Sequence, residues 1–325
     1  MNYAEEPISA PQERGAELPP TERRLEDSRE LDNMSALEIL TLMNAQDRIA
    51  VDAVNAVLPQ IAQLVEIGAE RLACGGRIHY FGAGTSGRLG VLDAAELLPT
   101  FSIEPDVVIA HMAGGEAALV RAVENSEDSE PEGVAAAATL GPDDLAIGLT
   151  ASGNTPYVAG ALRAARAAGA HTALISCNPR ATVANLADSH IVLQTGAEVV
   201  TGSTRLKAGS AEKMVLNGFS TALMVAYGRT WSNLMVSLVA TNAKLRDRTL
   251  RILADATGAQ AAECEALLRA ANGDLKVAIV AAIGDMSTDA ARKALDVASG
   301  SVRGALEANA TLPASLNSNQ TERQQ

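Results

Sequence analysis

Three stretches of this 325-residue chain carry side chains suited to holding a phosphate. The first, YFGAGTSGRLG at residues 80–90, has the spacing G-x-G-x-x-G at Gly82, Gly84 and Gly87, with Thr85, Ser86 and Arg88 set among the glycines. Glycine there lets the backbone approach an anion, and the free N–H groups of a following helix start attract it. The second, TASGNTPYV at 150–158, offers Ser152, Asn154 and Thr155 just before Pro156. The third, GAEVVTGSTRLKAGSAEK at 196–213, brings Ser203, Thr204, Arg205 and Lys207, cations that an otherwise acidic chain needs if it is to bind an anion. Each also has a structural reading: a tight turn, an N-cap with proline at the first helical position, and an ordinary helix start with its cations in solvent. Capping and anion binding use the same N–H groups, so the readings are compatible.

A nicotinamide dinucleotide site needs an acidic residue about 20 positions beyond the glycines to hold the ribose. Glu104 and Asp106 stand at that distance, but in SIEPD, before the next strand rather than at its C-terminal end. That is the wrong edge of the sheet. Thr85 and Ser86 are hydroxyls that a pyrophosphate turn does not require and a terminal phosphate can use. With Ser152, Asn154 and Thr155 they suggest a small cup for a phosphomonoester between two helix N-termini.

The elements that must position these residues alternate between strand and helix. Strands are expected at 77–83, 107–112, 145–151, 171–177 and 190–195, each too continuously apolar for a sheet with one wet face. Helices are expected at 86–98, 116–125, 133–141, 155–169, 182–187 and 207–228. The order predicts a parallel α/β sheet. RIHYFGAGTSGRLGVLDAAELL and LAIGLTASGNTPYVAGALRAAR form a weak internal repeat of strand, Ser-Gly turn and helix, which sets both turns along one edge of the sheet. Two helical patterns lie between residues 31 and 64, the first with a capping-box spacing at Ser35 and Glu38.

Composition excludes several classes. A formal charge of -13 argues against nucleic acid and anionic membrane as partners. Cys74, Cys177 and Cys264 are odd in number and far apart, which suits a reducing cytoplasm better than a disulfide framework or a zinc site. No apolar run is long enough to span a bilayer.

Longer segments resemble a known family. FGAGTSGRLGVLDAAELLPTF, TASGNTPYVAGAL with ISCNP, and GAEVVTGSTRLKAGSAEKMVLN are similar to the N-acetylmuramic acid 6-phosphate etherases. The likeness extends to TERR (21–24), LDNMSALEILTLMNAQD (31–47) and NLMVSLVATNAKL (233–245), so that it covers residues 21–306. It implies a flavodoxin-like doubly wound parallel sheet of the sugar isomerase superfamily at 68–231. A helical arm at 21–67 would precede it and a C-terminal helical bundle at 232–308 would follow, with disordered ends at 1–20 and 309–325. Residues 256–283 also resemble a ubiquitin-associated-type three-helix unit, read here as helix packing only.

The resemblance further implies a cytoplasmic carbon–oxygen lyase that removes D-lactate from a phosphosugar without metal or cofactor. The family's two catalytic glutamates fall on Glu96 in LDAAE and Glu127 in VENSED, with Glu96 as the acid on the ether oxygen and Glu127 as the base at C2. Glu96 would lie near the end of the helix launched by the glycine loop, so reaching the same sugar as Ser86 requires a neighbouring subunit or a fold-back of the chain. A homodimer is the expected assembly. The chain departs from the family at Ala95, Leu97 and Leu98, where Ser, Cys and Pro are common, and at Thr204, where Ser is common. Two rivals share the phosphate cup: a non-catalytic phosphosugar sensor and an aldose-ketose isomerase. A DNA-binding sensor would need a basic N-terminal region, whereas residues 1–60 hold 12 acidic and 5 basic side chains.

Overall fold

The computed structural model describes residues 18–237 and 243–310. Most of the two segments expected to be disordered, residues 1–17 and 311–325, lies outside the described residues, as does part of NLMVSLVATNAKL. Five strands, β1 (Ile78–Gly82), β2 (Val108–Met112), β3 (Leu145–Thr150), β4 (His171–Ser176) and β5 (Ser189–Val192), form one sheet in the order β2-β1-β3-β4-β5. All pairings are parallel. This is the flavodoxin-like order, whose direction of winding reverses between β1 and β3.

Both faces of the sheet are covered, which is why the strands read as unbroken apolar runs. On one face Ile78, Tyr80, Leu145, Ile147 and Ile175 join the buried residues of α1 (Ala36–Asn55), α2 (Leu58–Ala73), α3 (Gly84–Phe101) and α7 (Lys207–Ala226). On the other, Phe81, Ala146 and Leu174 meet Val158, Ala161 and Leu162 of α6 (Pro156–Ala167). α6 in turn packs against α5 (Glu130–Ala136). The expected helix at 116–125 is only one turn, α4 (Ala117–Val120), because Arg121 is extended and Asn125 takes a left-handed φ of 62°.

The capping box at the start of α1 forms: Ser35 Oγ accepts from Glu38 N, and Glu38 Oε2 accepts from Ser35 N at 2.8 Å. The remaining helices, α8 (Ala243–Thr257), α9 (Ala261–Ala270), α10 (Leu275–Ile283), α11 (Thr288–Val297) and α12 (Val302–Ala310), enclose a separate core around Leu253, Cys264, Ile279 and Val302. Lys276 ties this bundle to the end of α7 by donating to the carbonyls of Gly228 and Gly300, each at 2.8 Å.

Candidate active site

The glycine loop is tight enough to require its glycines. A Cβ on Gly82 would lie 2.7 Å from the Gly87 backbone, and one on Gly87 would lie 2.4 Å from Met112 Sδ and 2.5 Å from Gly82 O. Gly84 instead supplies a left-handed φ of 54°. α3 therefore starts directly on the end of β1, with Thr85 half-buried and Ser86 buried in its first turn. Glu104 and Asp106 lie in the turn before β2, at the opposite edge of the sheet from this loop.

The second turn follows β3, so the two Ser-Gly loops flank the point where the sheet reverses. That crevice is where ligands bind in open α/β sheets. Thr150 Oγ1 organises the turn, lying 2.8 Å from Thr155 Oγ1 and 3.3 Å from Ser152 Oγ while accepting from Gly153 N. Asn154 Oδ1 accepts from both the N–H and the hydroxyl of Thr182, and Asn178 Nδ2 donates to Ser152 O. Thr155 is the N-cap residue of α6 but its side chain makes no capping bond.

The third loop differs from its expected form. Ser203 and Thr204 are half-buried and Arg205 is exposed, but Lys207 is buried, and its Nζ donates to Gln46 Oε1 at 2.5 Å. Its backbone N–H and that of Ala208 donate to Glu198, a fully buried carboxylate that caps α7. Burial lowers the Lys207 amine below its usual range, against the pull of Glu198 and Asp47, and burial likewise raises the Glu198 carboxyl. A polar, basic run reads as solvated from sequence, and nothing local in it announces the Glu198–Lys207–Gln46 chain.

Arg88 reaches across from α3 to the segment after β2. Its Nε donates to Leu119 O and its Nη2 to Arg121 O, at 3.2 and 3.3 Å. With Gly84, Met112, Ser126 and Glu127 it lines a cavity of about 240 Å³ at the end of β1 and β2. Glu127 is exposed there, and its carbonyl accepts from Tyr157 N in the first turn of α6, which fixes its backbone to the second loop. Glu96 is elsewhere. It lies about 18 Å along α3 from Gly84 at the usual helical rise and is exposed on a different hollow of about 380 Å³, shared with Asn217 and Thr221 of α7. One subunit thus brings Arg88 to Glu127 and sets Ser86 and Ser152 on the two sides of the crevice, but leaves Glu96 apart.

A doubly wound sheet with two hydroxyl-bearing loops at its switch point defines a SIS domain. The descriptions "Glucokinase regulatory protein N-terminal SIS domain" and "SIS domain" match residues 57–166 and 122–224 respectively. The chain is 54% identical to the N-acetylmuramic acid 6-phosphate etherase of Thermobifida fusca over 80% of its own length and 86% of that relative's. It is 49% identical to the one of Mycolicibacterium smegmatis over 89% and 97%. Among solved structures, a phosphoheptose isomerase from Francisella tularensis matches 59% of the chain and all of its own, with a TM-score of 0.48 at 19% identity. This chain belongs to the N-acetylmuramic acid 6-phosphate etherase family. Among the described residues no helix is long and apolar enough to cross a membrane.

Proposed function

We propose that the protein is a carbon–oxygen lyase acting on N-acetylmuramate 6-phosphate, releasing D-lactate and N-acetylglucosamine 6-phosphate. The observation that carries the reading is the pair of hydroxyl-rich loops at the β1/β3 switch point, with Glu127 anchored beside them. Thr85, Ser86, Ser152, Asn154, Thr155, Ser203 and Thr204 are the residues proposed to receive the phosphate and sugar hydroxyls, with Arg88 holding the wall next to them and Lys207 supporting the third loop from below.

The chemistry asks for little beyond two carboxyl groups. In the open-chain sugar the C2 proton is acidified by the C1 aldehyde. Glu127 as base takes that proton, the C3–O bond breaks as Glu96 gives a proton to the ether oxygen, and D-lactate leaves. Water then adds at C3 of the unsaturated aldehyde and a proton returns to C2. We further propose a homodimer in which Glu96 of the partner subunit completes the site. Leu92 and Leu98 of α3, four residues before and two after Glu96, are each about half exposed, an apolar surface that a second subunit would cover. The free thiols of Cys74, Cys177 and Cys264 support a cytoplasmic setting.

Purified protein should release D-lactate from N-acetylmuramate 6-phosphate. Binding of the phosphosugar with no lactate above a blank would make the protein a sensor. Conversion to a ketose phosphate would make it an isomerase.

A further inference from the structure

Glu212 lies in the second turn of α7 with 1% of its surface exposed, and among the described residues only the Ser86 hydroxyl stands close enough to pair with its carboxyl oxygens, neither of which makes a hydrogen bond of good geometry. A buried polar group in that state needs an explanation, since leaving one unpaired costs about 1–3 kcal/mol. Its surroundings point upward to the phosphate cup. α7 packs along α3, and Gly209 sits against Thr85, so Glu212, one turn on, comes beneath Ser86. Ser86 is the one hydroxyl close enough to favour its ionised form.

Among the described residues, the groups facing it from the other packed elements offer no positive charge. Cys177 follows β4, and its thiol is pushed up by burial and then by Glu212 and Glu198. Thr195, after β5, brings a buried, uncharged hydroxyl beside the Cys177 thiol. α2 turns only apolar side chains inward. Lys207 on α7 is engaged with Gln46 and lies near Glu198 and Asp47, while Asp93, further along α3, is held by Tyr80 and Ser220. Burial accordingly raises the Glu212 carboxyl to about 7, where it is half-charged near neutral pH.

We propose that Glu212 is a positioning residue for the phosphate cup, acting through Ser86 as a proton-dependent gate on phosphosugar affinity. Uncharged, its carboxyl O–H donates to Ser86 Oγ and leaves the Ser86 hydroxyl proton free to point at a phosphate oxygen. Ionised, it accepts that proton and sets a negative charge behind a dianion. Phosphate binding therefore favours protonated Glu212, and by linkage a bound phosphosugar draws in a proton. This rests on Ser86 being part of the cup, as proposed above.

Calorimetric titration with N-acetylglucosamine 6-phosphate at pH 7.5, in two buffers of different ionisation enthalpy, counts that proton without turnover. Wild type should take up roughly half to one proton per site and Glu212→Gln none. In turnover, the ratio of wild-type KM to that of Glu212→Gln cancels the substrate's own ionisation. It should be flat below pH 6.5 and climb by up to about tenfold per pH unit above 7, while kcat keeps the same pH profile in both proteins. In a Ser86→Ala background, Glu212→Gln should lose most of its effect. Equal proton counts in the two proteins, a flat KM ratio or additive effects of the two substitutions each overturn the proposal, and no binding of the phosphosugar overturns both it and the cup. Missing lactate release with proton uptake intact overturns only the etherase reading.

Discussion

Glu96 and Glu127 open onto separate hollows of the same subunit, Glu96 between α3 and α7 and Glu127 beyond the end of β2. The proposed reaction, which uses both, draws them from two subunits. Glu96→Gln and Glu127→Gln should each lower kcat by roughly 10²-fold or more, the usual loss for a missing acid or base. Mixed after unfolding and refolding together in equal amounts, the two inactive proteins should recover about a quarter of wild-type activity, because half the dimers are mixed and each holds one intact site. No recovery, with mixed dimers verified by mass, would falsify the sharing of sites.

The turn at Ser152 is also held by Thr150 through Thr155 and the Gly153 N–H and by Asn178 donating to the Ser152 carbonyl, bonds that survive removal of the Ser152 hydroxyl. Ser152→Ala should raise KM about 10–100-fold, the loss of a hydrogen bond to a charged group, with a smaller change in kcat. Steady-state lactate release measures this. An unchanged KM would leave Ser152 as a turn residue only.

The two kinds of glycine in the first loop should respond differently. Gly87→Ala drives a methyl group against Met112 and the Gly82 carbonyl, an overpacking that costs roughly 1–3 kcal/mol and tilts the start of α3 off the sheet. Gly84 has open space around its missing Cβ and needs only its positive φ, which asparagine tolerates. Thermal unfolding should rank Gly87→Ala well below Gly84→Asn.

Glu212 should make stability fall as pH rises. Its folded-state carboxyl titrates near 7 against an ordinary 4.5, so between those values the native state holds a proton that the unfolded chain has lost. The destabilisation grows from pH 4.5 upward and is complete above 7, reaching at most about 3 kcal/mol. The Tm of Glu212→Gln should exceed that of wild type by several degrees at pH 8 and converge with it near pH 5. Parallel Tm profiles would mean that the carboxyl titrates normally.

The sheet was legible because burial on both faces leaves an apolar run that few other structures produce: four of the five strands lie within one residue of their expected ends, and β5 stops three residues early. The start of α1 was legible because Ser35 and Glu38 satisfy each other across three residues. What escaped was long-range. The polar run at 196–213 became partly buried because Glu198 caps α7 and Lys207 finds Gln46, 161 positions away. The helix expected at 116–125 ends after one turn at the extended Arg121, where Arg88, 31 and 33 positions back, donates to the carbonyls of Leu119 and Arg121 that continued helix would have used. The distance between the two glutamates follows from the length of α3, which no spacing of motifs discloses.

Arg88 stands two residues beyond Ser86 and grips the backbone that leads to Glu127. The loop proposed for the phosphate and the wall of the hollow that holds a glutamate are therefore one rigid piece of chain. With the roles proposed for Ser86 and Glu127, it would work as a ruler: a sugar would be measured from its phosphate to the carbon that loses a proton, and one carbon more or less between them would bring the wrong atom to the mark.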